Sequence, residues 1–131
     1  MSQFFVASSG GSSSTNVVKF LSAEVDLTTA GTTIIGSVPA NIMVTNFFLK
    51  GNNLSGSTTA EGSCGFNGPS YDDFFSPENF SLDANGYVYN ISDFADKLNT
   101  VPSSNDIVFN VTTPSGEATA LAQVYIFYIE I

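Results

Sequence analysis

The chain has 131 residues, 43% of them hydrophobic, which suffices to bury one core and is too short for two. Its 12 acidic and 3 basic residues give a formal charge of −9, which argues against binding nucleic-acid phosphates and against an anionic membrane surface. With no His, no Trp and one Cys, the chain lacks the usual catalytic triads, an intrachain disulfide and the commonest metal ligands, so no enzyme and no cofactor are expected.

The start, Met1-Ser2-Gln3, has neither a basic run nor a long apolar run, so no signal peptide is expected. Phe4-Phe5-Val6 precede a run from Ser8 to Thr15 made only of Ser, Gly and Thr. That pattern reads as an apolar plug on a flexible tether, an N-terminal arm over residues 1–16 that holds a neighbouring subunit through Phe4, Phe5 and Val6. A frayed terminus has the same composition.

Residues 17–131 read as one β-sandwich. The chain's 12 Phe and 5 Tyr, with abundant Val and Ile, suit half-buried pleated surfaces. Ala23, Val25 and Leu27 alternate with Glu24 and Asp26, the period of a half-buried strand. Thr32 to Val38 and Ile42 to Lys50 follow as strands, the latter with Val44 and Phe48 on one face and Thr45, Phe47 and Leu49 on the other. A short strand is expected near Gly62 to Phe66, and a brief apolar segment over Tyr71 to Phe75 that Pro77 closes.

Asn85-Gly86 between apolar runs is a hairpin signal with a type I′ turn, and Ser92 to Leu98 reads as a short helical turn capped by Ser92. Ile107, Phe109 and Val111 alternate with Val108 and Asn110. In the last strand, Thr119 to Ile131, one face carries Leu121, Tyr125, Phe127, Ile129 and Ile131, and the other Ala122, Val124, Ile126 and Tyr128. A strand apolar on both faces belongs at the centre of a sheet and is covered on both sides. The cover that one small sandwich lacks is expected from a homotrimer, with Tyr125, Phe127 and Tyr128 at the oligomer interface. About eight strands punctuated by Gly, Pro and Asn turns give an all-β, antiparallel, jelly-roll-like sandwich.

Chemistry-bearing groups are sparse. Asp72, Asp73, Glu78 and Asp83 could supply a glycosidase's carboxylate pair, but the residues that usually grip and orient a sugar are nearly absent. Asp83-Ala84-Asn85-Gly86 matches part of a calcium loop without its closing Glu, and a type I′ turn explains it better; a surface Ca2+ or glycan near Asp72, Asp73 and Asp83 stays open. Cys64, in Ser63-Cys64-Gly65, reads as a small buried residue. The aromatics Phe66, Tyr71, Phe74, Phe75, Phe80, Tyr87 and Tyr89 read as core and interface, with sugar stacking as the alternative.

Val25-Asp26-Leu27-Thr28-Thr29-Ala30-Gly31-Thr32-Thr33-Ile34-Ile35, then Val38-Pro39-Ala40, resembles the opening of a small β-sandwich module of tailed-phage virion proteins. Tyr71-Asp72-Asp73 resembles that module's aromatic-acidic turn. Val111 to Gly116, with Thr119-Ala120 and a Val/Tyr-rich terminal strand, resembles its close, and the Phe4-to-Gly11 start is similar to those of some fibre and decoration proteins. Where such modules often carry Gly-Arg, this chain has Asn41-Ile42. The resemblance implies a virion surface role, usually trimeric, with no catalytic residues. The expectation is a capsid decoration (cement) protein made in the host cytoplasm, its partner the major capsid protein. The alternative is a receptor- or glycan-binding module of a tail fibre or baseplate.

Overall fold

A computed structural model describes residues 17–66, 71–91 and 105–130, and the backbone of 5–6 and 100–101. The strands in chain order are β1 (Phe5–Val6), β2 (Val18–Asp26), β3 (Gly31–Val38), β4 (Ile42–Leu54), β5 (Thr58–Phe66), β6 (Phe75–Leu82), β7 (Val88–Ile91), β8 (Thr100–Val101), β9 (Asn105–Thr113) and β10 (Ala120–Glu130). They form two antiparallel sheets. The first has the order β1-β2-β10-β4-β7, with β8 pairing the start of β4, and the second has the order β3-β9-β5-β6. Setting aside the two-residue strands β1 and β8, this is the double Greek-key order of a jelly roll. The sandwich expected from the strand pattern is therefore present. The helical turn expected over 92–98 lies outside the described residues.

The terminal strand shows why the sheets face each other. Ala120, Ala122, Val124, Ile126 and Tyr128 of β10 are all buried, while the residues between them are half-exposed. From the same inner side of the first sheet, Phe47 on β4 packs against Phe75, Phe80 and Phe109 of the second, with ring centroids 4.9, 6.1 and 5.9 Å away. Such rings each contribute about 1.5–3 kcal/mol by burial, with smaller increments from ring geometry.

Strict alternation fails in β4. Val44, Phe47 and Leu49 are all buried, although 44 and 47 differ in parity. The pairing with β10 steps from Tyr128↔Val44 to Phe127↔Asn46, so Thr45 is an extra, bulged residue. Val44 therefore shares the inner face with Phe47 and Leu49, and Phe48 alone of the expected pair turns outward. A second bulge lies between Leu121↔Asn53 and Ala122↔Gly51 and leaves Asn52 unpaired.

Asn85-Gly86 does not close a hairpin, because β6 and β7 belong to different sheets. The turn is real: the Tyr87 amide donates to the Ala84 carbonyl at 3.0 Å. Only Gly86 has positive φ (84°), which fits a type II turn, whereas type I′ needs both central residues there. Crossing between sheets removes the need for a turn matched to paired strands. The turn is fastened to β4 instead, with Gly86 N donating to Gly51 O at 2.7 Å and Leu54 N donating to Asn85 Oδ1 at 2.7 Å.

Pro77 sits within β6 rather than ending it. The strand lies at the sheet edge, and its pairing jumps from Gly62↔Glu78 to Cys64↔Phe75, so the proline falls in an irregularity that needs no donor. Asn41, where the resembled module carries Gly, has φ 61°, a conformation Asn tolerates best after Gly. Ile42 after it is wholly buried, so the arginine of that module has no surface counterpart here.

Candidate partner-binding face

The outer face of the first sheet is built from the residues of β2, β10, β4 and β7 that turn away from the core. Cross-strand pairing arranges them in level rows. One row contains Phe20, Phe127 and Asn46; the next contains Ser22, Tyr125, Phe48 and Asn90; the third contains Glu24, Gln123, Lys50 and Val88.

The first two rows form an aromatic band. Phe20 stacks on Phe127 at 5.4 Å and lies 5.8 Å from Tyr125, and Phe48 meets Phe127 edge-on at 5.4 Å. Phe20 is buried, whereas Phe48, Tyr125 and Phe127 are half-exposed and Val88 is 45% exposed. Phe48, Lys50, Val88, Tyr125 and Phe127 line a dent of about 350 Å³ whose walls expose almost only carbon.

A polar network borders the band. Lys50 Nζ donates to Asn52 Oδ1 at 3.1 Å, and Asn52 Nδ2 donates to Gln123 Oε1 at 3.1 Å and Glu24 Oε2 at 3.2 Å. Gln123 Nε2 donates onward to the Ser22 hydroxyl. The bulge after Gly51 makes this possible by inserting Asn52 beside β10. A side chain at Gly51 itself would collide with Leu54 and approach the Ala84 carbonyl to 3.0 Å.

Tyr125 and Phe127 thus lie together on a half-exposed face, as their spacing requires. Tyr128 turns the other way: at 3% exposure it packs in the core with Val124 and Ile126, because adjacent strand residues point to opposite faces. Its hydroxyl is pushed above its ordinary pKa chiefly by burial, with Lys19 opposing the shift. Phe5 and Val6 pair with Lys19 and Val18 of their own chain at the edge of the first sheet. Phe4 lies outside the described residues.

The remaining chemistry-bearing groups have structural surroundings. Asp73 Oδ2 accepts from the Phe66 amide at 2.9 Å, tying the 71–74 segment to the end of β5. Asp72 stands beside it, and Asp83 is exposed before the 84–87 turn. Among the described residues, no group of three or more Cys, Asp or Glu could hold a metal ion. Cys64 is wholly buried, and desolvation pushes its thiol far above the usual range, which makes it a poor nucleophile. Phe74, Phe75 and Phe80 are core residues, Phe66 and Tyr89 pack against the core, and Tyr87 is 46% exposed.

Phe48, Lys50 and Asn52 are the members of this face that sequence spacing does not select. The two bulges of β4 hide them, since alternation counted through Thr45 pairs Phe48 with the wrong neighbours.

Compared with known proteins, the chain matches no family model and no curated sequence. Its fold is found in solved phage capsids. The capsid structure of Helicobacter pylori bacteriophage KHP30 matches with a TM-score of 0.58 at 18% identity, over 97% of this chain and 92% of that one. The capsid of Ralstonia phage GP4 matches at 0.56 and 16% identity, over 86% and 84%. The cyanophage Pam1 capsid matches at 0.55 and 13% identity, over 95% and 92%.

Proposed function

We propose that this chain is a phage virion structural protein, a decoration (cement) protein that lies on the capsid exterior and ties major capsid protein subunits together. The observation that carries the reading is one aromatic outer face on an otherwise self-contained jelly roll. A two-sheet sandwich needs no aromatic side chains outside its core, so a half-exposed band of Phe48, Tyr125 and Phe127 is surface held for a partner. The structural neighbours are parts of phage capsids, and the match spans most of each chain, which supports a virion setting.

In this reading the protein acts without chemistry or cofactor. Its effect comes from interface area and from linking subunits that would otherwise separate independently. The assembled unit is a homotrimer with Tyr125 and Phe127 turned toward its neighbours. Phe4, Phe5 and Val6 add a second attachment: among the described residues β1 is the last strand of its sheet, an edge that can extend to an adjacent subunit. A glycan-binding tail module is less well served by this face. The carbon-lined dent would strip water from sugar hydroxyls without replacing their hydrogen bonds.

The test is reconstitution. Purified protein is mixed with undecorated shells and the particles are imaged. Hundreds of copies over the shell support decoration; a few dozen or fewer, confined to the tail, point to a fibre or baseplate instead. A stable monomer by sedimentation at micromolar concentration would remove the trimer.

A further inference from the structure

We propose that the outer face of the first sheet docks on a second copy of this chain, with Glu24 of one copy paired to Lys50 of the next. The inference rests on the oligomeric reading above and names the contact that would close the ring.

Glu24 and Lys50 flank the central strand at one level, since both are register partners of Gln123 on β10. Two strand spacings separate their backbones by about 9–10 Å. No ion pair between them occurs within the chain; Asn52 bridges them, accepting from Lys50 and donating to Glu24. Lys50 uses one of its three ammonium donors on Asn52, and the Glu24 carboxylate accepts through Oε2 alone, so both keep capacity for a partner. The other described lysine, Lys19, is held by Glu130 at 2.6 Å. In a chain of charge −9, Lys50 is therefore the described cation left for an intermolecular contact.

The pattern is self-complementary. It has an aromatic band along the middle, an acid on one flank and a base on the other, at the same height. Rotating a second copy about an axis parallel to β10 keeps Glu24 level with the neighbour's Lys50, and keeps Tyr125 and Phe127 level with their counterparts. The arrangement closes for two copies or for three, and every Lys50 meets one Glu24 in either case. Among the described residues, β1 pairs only Val18 and Lys19 and does not reach this level of β2. Two acidic proteins repel over most of their surfaces, so this one opposite-charge row also selects the register in which they meet.

The experiment is a charge swap read by sedimentation and by chemical cross-linking of the full chain. Glu24→Lys and Lys50→Glu should each weaken association by about 10- to 100-fold, because each sets like charges face to face. The double variant E24K/K50E should restore association to near the original strength. Melting of each variant at high dilution reports whether it folds, and Glu24→Gln and Lys50→Gln replace any reversal that does not. A monomeric parent, single variants that assemble like the parent, or a folded double variant as weak as the singles would each overturn the proposal. Charge-swap rescue in a protein that never decorates shells would keep this contact and remove the decoration reading. Full decoration by variants that show no rescue would do the reverse.

Discussion

Phe47 and Phe48 are adjacent, identical in type and assigned to opposite faces by one inserted residue, so truncating each to Ala tests the architecture sharply. Phe47 is 1% exposed and touches three aromatic rings, so its loss leaves a cavity in the centre of the core. The expected cost is about 3–5 kcal/mol. Phe48 is half-exposed with one edge-on ring contact to Phe127, and its truncation should cost about 1 kcal/mol. Against a total stability of about 5–15 kcal/mol, the first change removes a large fraction and the second a small one. Urea unfolding followed by circular dichroism gives the comparison. With a slope near roughly 2 kcal/mol per molar, Phe47→Ala should lower the midpoint by about 2 M and Phe48→Ala by about 0.5 M. Repeating the titration at two protein concentrations separates intrinsic from assembly-linked stability, and Phe48→Ala should weaken the concentration dependence of the parent. If Phe48→Ala proved as costly as Phe47→Ala at high dilution, the Thr45 bulge and the outward face built on it would be wrong.

Three further outcomes are expected. Gly65→Ala should destabilise by about 1–3 kcal/mol in thermal or urea melts, because a Cβ there would come within 2.5 Å of the Asp73 amide nitrogen, whereas Gly116→Ala, with open space around it, should be near neutral. The hydrogen bond to Glu130 raises the Lys19 pKa, so its stabilising contribution is fully present below the unfolded value of about 10.4 and is lost as pH rises through the folded value; NMR titration should show Glu130→Gln bringing Lys19 back toward the ordinary value. Deleting residues 2–14 removes β1, which among the described residues contributes two register pairs, so the melting temperature at high dilution should barely change while retention on shells weakens; equal retention would make the arm a passive tail.

The sandwich was legible because period-two burial dominates this chain. β10, β9 and β2 follow their alternation closely enough that Val25, Ile107, Phe109 and Val124 fall inside as their spacing requires. Reading failed where one residue is added or where a turn serves two sheets. Thr45 reverses the faces of half of β4, a bulge that alternation counted from one sequence does not reveal. Asn85-Gly86 bears the usual mark of a tight turn, but the sequence does not say whether the strands it joins are paired or stacked. The face itself was half legible. Tyr125 and Phe127 stand out as apolar residues on the outer side of a central strand, whereas Glu24, Lys50 and Asn52 gain meaning only from register, a long-range property.

The two outer faces differ in a way that determines how such a roll would be mounted. On the second sheet the level rows are Thr32, Asn110, Ser63 and Ile34, Val108, Gly65. The segment 71–74 folds over that sheet at Gly65, with the Asp72 and Asp73 backbone close above it. Polar side chains and an intrachain cover leave Ile34 as the sole large hydrophobic strongly exposed there among the described residues. On the first sheet, Phe48, Tyr125 and Phe127 stay half-exposed, and the network of Lys50, Asn52, Gln123 and Glu24 borders them. Removing apolar area from water is the main source of association energy, so the first sheet is the face that gains from contact. The second sheet buries Val108 and Ser63 and is covered at Gly65 by its own chain, so it offers a partner less apolar area. A roll mounted in this way keeps its polar face outward, where acidity opposes aggregation, and its aromatic face inward, where one lysine and one glutamate set the register.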